Sequence, residues 1–214
     1  MSSVLLIIGL LISAATLGAL VWSIAYPAKR IWPPKAYSVW TPIVVWVPTF
    51  ALFGTLIALG VIGWGQMELP AWMRYGLGIP IIVLSNIVVW SAVRKFGIAQ
   101  TGGAEGTLKT DGLYRYSRNP QHVADALMVF GWLLLSSSAE ALLIGATAIF
   151  VLLLAPFAEE SWMKERYGAA YEAYMKATPR FFGVPNAKLA KYERVGKRPV
   201  THPLPEVQNQ AFRN

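Results

Sequence analysis

Residues 4–26 read VLLIIGLLISAATLGALVWSIAY, and no charged side chain occurs anywhere from Met1 to Ala28. A helix that crosses the hydrocarbon core of a bilayer needs about 20 consecutive apolar residues. This run is long enough to span. A cleaved export signal is the competing reading, but the run has no basic start and no small-residue cleavage site ahead of Lys29 and Arg30, so a retained transmembrane helix is expected.

Working outward, the same pattern repeats. Residues 36–67 carry no charge, which places a second helix near 39–64, with Pro42 and Pro48 close to its start. A third lies near 75–93, between Arg74 and Arg94. Pro33, Pro34 and Pro70 punctuate the joins, where proline stops helices. The apolar region from Val123 to Ala158 is interrupted by Ser136-Ser137-Ser138 and Glu140, which divides it into a hairpin of two shorter helices, near 120–137 and 140–158. The expected fold is all-α: a polytopic membrane domain over residues 1–183 with about five transmembrane helices, a cytoplasmic amphipathic helix and a tail. Composition agrees. Of 214 residues, 55% are hydrophobic and 14% charged, with mean hydropathy +0.45, whereas a soluble domain carries about 25% charge. Disorder, a soluble enzyme and a secreted mini-protein are excluded. With no cysteine, so are disulfides, thiolate metal sites and cysteine nucleophiles; no metal is expected.

A net charge of +8 invites a nucleic-acid reading, but the positions of the charges argue for a membrane. In this layout 18 of the 19 lysines and arginines fall on one face, and Arg74 alone on the other. Basic residues accumulate in cytoplasmic loops, so the amino terminus is expected outside and the carboxyl terminus inside. Helices 1–3 hold no acidic residue or histidine and read as packing scaffold, with Asn86 placed to hydrogen-bond across helices and Gly76 and Gly78 suited to close packing. They offer no polar pathway for a transporter.

The chemistry therefore concentrates in residues 112–125, GLYRYSRNPQHVAD. Asn119 followed by Pro120 reads as a helix cap and first-turn proline, and His122 and Asp125, three residues apart, share one face. An ionisable group in a membrane helix points by default to function; pairing of Asp125 with a nearby arginine is the plainer alternative. Glu159 and Glu160 fall where helix 5 returns to the cytoplasm, at the depth of Arg118 and His122. Glu160 and Lys164 have the spacing of a helical ion pair, as do Glu172 and Lys176. The pattern over Trp162–Met175 suits an aromatic surface helix, near 160–177, whose spacing alone favours anchoring. Residues 184–214 form a basic, proline-containing tail of the kind that meets anionic lipid head groups or simply solvates.

At these positions the chain resembles the integral-membrane methyltransferases that include isoprenylcysteine carboxyl methyltransferase and the phospholipid N-methyltransferases. Their pattern, Gly-x-Tyr-x-x-x-Arg-His-Pro-x-Tyr-x-Gly, then a glutamate pair, then Tyr-Gly-x-x-Tyr-x-x-Tyr ending near Pro-Arg, is met by Gly112, Tyr114, Arg118 and Pro120, by Glu159 and Glu160, and by Tyr167, Gly168, Tyr171, Tyr174, Pro179 and Arg180. Asn119, His122 and Ala124 depart from it, standing for His, Tyr and Gly. The resemblance covers roughly residues 107–183. The same region is similar to the Arg-His-x-Asn-Tyr-x-Gly-Asp motif of NADPH-dependent membrane sterol reductases, where Asp125 matches the aspartate.

The resemblance implies methyl transfer from S-adenosylmethionine, held on the cytoplasmic side, to a lipophilic acceptor arriving from the bilayer. Tyr114, Arg118, Pro120, Glu159, Glu160, Tyr171 and Arg180 are the expected cofactor-binding residues. Carboxylates accept from ribose hydroxyls or an amino group, an arginine fork holds a carboxylate, and aromatic faces attract a sulfonium. His122, Asp125 and Arg118 are the expected catalytic set, His122 taking a proton if the acceptor is a protonated amine. Expected partners are the bilayer-borne substrate and membrane lipids, with no nucleic acid. Two alternatives stand beside this: an NADPH-dependent sterol or enone reductase, which the adjacent negative charges of Glu159 and Glu160 disfavour, and a non-catalytic lipid-binding membrane protein.

Overall fold

A computed structural model describes residues 2–36, 38–101 and 106–184; the basic tail expected over 184–214 lies, apart from Val184, outside the described residues. Among the described residues the chain is all-α. Its helices are α1 (Ser2–Ala25), α2 (Thr41–Ile62), α3 (Ile79–Thr101), α4 (Pro120–Ser136) and α5 (Ala139–Ala177). A π-helical turn, Trp72–Gly78, leads directly into α3.

Four segments are long and apolar enough to cross a bilayer: Ser2–Ala25, Thr41–Ile62, Trp72–Arg94 and Ala139–Ala177. The fifth helix, α4, is shorter, with 17 residues between Pro120 and the left-handed Ser137, and carries Gln121, His122 and Asp125 in its first turns. It is also largely interior, packed against α3, α5, α2 and the π-helical turn. The other helices turn large apolar side chains outward, among them Leu11, Val44, Phe50, Leu84 and Ile87. Water would penalise such a surface and hydrocarbon does not.

The core forms where α2, α4 and α5 meet, around Leu56, Leu59, Val129, Leu133, Ile144 and Ala148. Helices α4 and α5 make the expected hairpin, joined by Ser137 and Ser138. Ser137 takes a left-handed conformation (φ 52°) to close α4. The Ser138 hydroxyl accepts from the Ala141 amide to open α5 and donates to the Leu59 carbonyl on α2 (3.0 Å). Close approach at glycine sets the spacing elsewhere. A Cβ on Gly78 would lie 3.0 Å from the Gly131 carbonyl oxygen, whereas Gly76 meets nothing within 4 Å. Of the two glycines expected to serve packing, Gly78 does so. Asn86 on α3 donates to Met128 on α4 (3.0 Å), the cross-helix bond its position suggests.

Two local expectations are corrected. The break placed between the helices at 140–158 and 160–177 lies later: the helix runs on through Glu159 and Glu160, and the helical backbone is interrupted at Gly168 (φ 50°, ψ −133°); a positive φ is cheap only for glycine. Pro48 lies inside α2 rather than at its start.

Candidate functional site

The polar groups gather at the end of the bundle where α4 begins and α5 passes out of its apolar stretch. Three backbone and side-chain bonds stitch the approach to α4 onto the segment after α5. The Arg118 amide donates to the Pro179 carbonyl (2.9 Å), and the Ser117 hydroxyl (3.3 Å) and the Asn119 side-chain amide (3.1 Å) donate to the Arg180 carbonyl. Asn119 occupies the cap position, yet makes no side-chain capping bond, because its side chain is spent on Arg180. The Tyr174 hydroxyl donates to the Tyr114 carbonyl, tying α5 to the same approach.

These ties bring Arg118 and Arg180 to one carboxylate. Glu160 Oε1 lies 2.9 Å from the Arg118 guanidinium, and Arg180 binds Glu160 through two parallel contacts of 2.7 and 3.0 Å. The pair Glu160–Lys164 expected from spacing is thus replaced as the main engagement of Glu160 by two arginines distant in sequence. A planar fork meets a carboxylate with two good bonds where an ammonium offers a single point of charge. The Arg118 and Glu160 side chains retain only 7% and 12% exposure. Arg118 also donates to the Tyr171 hydroxyl (3.2 Å) and stands 5.9 Å above its ring. Its Nε, also buried, has no hydrogen-bond partner. Arg180 lies 3.9 Å over the Phe157 ring. Its hydrogen bonds to Glu160 hold the Arg180 guanidinium above its ordinary range, so it is a permanent cation.

Glu159 faces a different set. Its Oε1 is 3.6 Å from His122 Nε2 on α4 and accepts from the Trp32 indole N–H at 3.0 Å. Asp125 lies on α4 one turn beyond His122. Burial, reinforced by the negative charges of Glu159 and Asp125, pushes the Tyr114 phenol above its ordinary range, so its hydroxyl is a lasting donor. Pro120 is buried at the start of α4, where its fixed φ and missing N–H suit the first turn.

Every candidate residue therefore lies near this one end, and Arg118, Tyr171, Glu160 and Arg180 form a directly bonded group. Sequence reasoning missed Trp32 and Arg30. Both lie in the α1–α2 connection, which bonds to Glu159 and Glu165 bring to this end of the bundle; no motif marks them. Arg30 binds both oxygens of Glu165 on α5, at 2.9 and 2.7 Å. Among the described residues no cluster of metal-ligating side chains occurs.

Comparison with curated proteins and with solved structures returns no match. Residues 73–170, from the π-helical turn to just past the Gly168 bend, match the family model of the phospholipid methyltransferases. That match is consistent with the integral-membrane methyltransferase superfamily and, together with the four membrane-length helices, supports a membrane-embedded, S-adenosylmethionine-dependent methyltransferase-like activity.

Proposed function

We propose that the protein transfers a methyl group from S-adenosylmethionine to a lipophilic acceptor at the cytoplasmic face of the bilayer, the acceptor being an isoprenylcysteine-like carboxylate or a phospholipid amine. The observation that carries this reading is the Arg118–Glu160–Arg180 cluster with its unpartnered, buried Arg118 Nε. A buried donor without a partner is costly, and a ligand carrying a carboxylate, an amino group and ribose hydroxyls fits the donors and acceptors gathered there. Arg118 and Arg180 would hold the cofactor carboxylate, Glu159 and Glu160 its amino group or hydroxyls, and Tyr114 and Tyr171 would wall the site.

When bound, S-adenosylmethionine would supply a methyl group on a positively charged sulfur, to be taken by the acceptor's lone pair with S-adenosylhomocysteine as the leaving group. The chain's part is alignment and exclusion of water. An ionised carboxylate acceptor needs no base. For a protonated amine, His122 accepts the proton and Glu159, 3.6 Å from Nε2, stabilises the resulting imidazolium. A mostly apolar groove, lined by Ile31, Trp32, Pro34 and Val44 together with Ser38 and Thr41, adjoins Glu159 through Trp32 and suits the acceptor's hydrocarbon chain.

The test is a titration of detergent-purified protein with S-adenosylmethionine, S-adenosylhomocysteine and NADPH. Saturable binding of the first two without the third is expected. Binding of NADPH alone would replace this reading with a reductase, and binding of none would leave a non-catalytic lipid-binding protein.

A further inference from the structure

We propose that Trp32 is a positioning residue for Glu159, so that the α1–α2 connection, which lies outside the family-matched segment, forms part of the cofactor site. The proposal rests on the methyltransferase reading above. The two neighbouring carboxylates are held in chemically different ways. Glu160 is bound by two guanidiniums, which offset its charge. Glu159 is bound by a neutral indole N–H and faces His122. A neutral donor fixes a carboxylate's orientation without offsetting its negative charge, which favours binding of an ammonium group.

Trp32 is itself firmly placed. Ser23 on α1 is fully buried, and its hydroxyl accepts from the amides of both Ile31 and Trp32 at 3.0 Å. Arg30 binds Glu165 of α5 with two bonds and donates through Nε to the Pro33 carbonyl (3.0 Å). The Trp32 ring packs against the small cluster of Leu20, Ala155 and Ala158. The connection is therefore anchored to both α1 and α5 close to Trp32, and the indole N–H is delivered to Glu159 Oε1 by that anchoring. Holding one carboxylate oxygen sets the direction in which the other is presented.

The test is a double-mutant cycle read by S-adenosylhomocysteine titration of the full-length, detergent-purified protein. Trp32→Phe keeps most of the ring packing and removes the donor; it is expected to weaken binding about 5- to 10-fold, the size of an ordinary hydrogen bond's net contribution, with little change in melting midpoint. In the Glu159→Ala background, where the acceptor for the indole N–H is gone, the same substitution should weaken binding less than about twofold. Ser23→Ala, which releases the two loop amides without touching Glu159, should weaken binding in the same direction, and it decides the matter should Trp32→Phe not fold. Parental affinity in Trp32→Phe, or multiplicative effects of Trp32→Phe and Glu159→Ala, would overturn the role of Trp32 alone. No binding by the parent protein would overturn the methyltransferase reading and this proposal with it.

Discussion

Arg118 is the residue on which the site turns, because it touches Glu160 and Tyr171 at once and keeps a buried donor to spare. Arg118→Ala should reduce S-adenosylhomocysteine affinity by at least about tenfold, while Arg118→Lys restores little of it, since a lysine lacks the planar fork. Isothermal titration distinguishes the three proteins. Glu160→Gln should do more harm than loss of one contact suggests: it leaves two guanidiniums facing a neutral amide at a site with only 12% exposure. Removing one partner of a buried ion pair destabilises by about 3–5 kcal/mol in fully enclosed sites, and partial exposure here should keep the loss at the lower end. A melting midpoint equal to the parent's would refute this view of the cluster. These residues were legible beforehand as a motif, but their pairing was not, since Glu160 takes partners 42 and 20 positions away along the chain instead of the helical neighbour at Lys164.

At the scale of elements, α4 and the Gly78–Gly131 crossing carry the packing. A side chain at either glycine would meet backbone atoms of the other helix at about 3 Å, and backbone cannot step aside as a flexible side chain can. Gly131→Val should therefore destabilise by about 1–3 kcal/mol, the usual result of overpacking a close contact. Gly76→Ala, which meets nothing within 4 Å, serves as the control and should leave the melting midpoint near the parent's. Hydrophobic run length was enough to locate all five helices and the serine hairpin. It was not enough to separate helix from surface helix after Ala158, because charge at Glu159 and Glu160 reads as an exit from the membrane whether or not the backbone continues. Only Gly168, with its positive φ, marks the bend.

For the whole molecule, the distribution of basic residues predicts that the candidate site faces the cytoplasm. Having no cysteine, the chain allows a direct check with single introduced thiols. In intact cells a membrane-impermeant maleimide should label Ala71→Cys and should reach Glu172→Cys only after permeabilisation. The reverse pattern would place the site outside and undo the orientation. Both positions are exposed, so accessibility reports the side of the membrane and not burial.

By itself the sequence determined an all-α, bilayer-embedded chain, the location of its helices and the polar stretch where the chemistry gathers. These follow from apolar run length, charge position and proline or glycine punctuation, which are local and additive along the chain. Only the tertiary structure decided that Glu160 joins Arg118 to Arg180, that Glu159 answers to His122 and Trp32, and that the α1–α2 connection reaches the site. Those partners are brought together by the close crossing of helices, and a bond between residues 127 positions apart, as for Trp32 and Glu159, leaves no trace in the spacing of either.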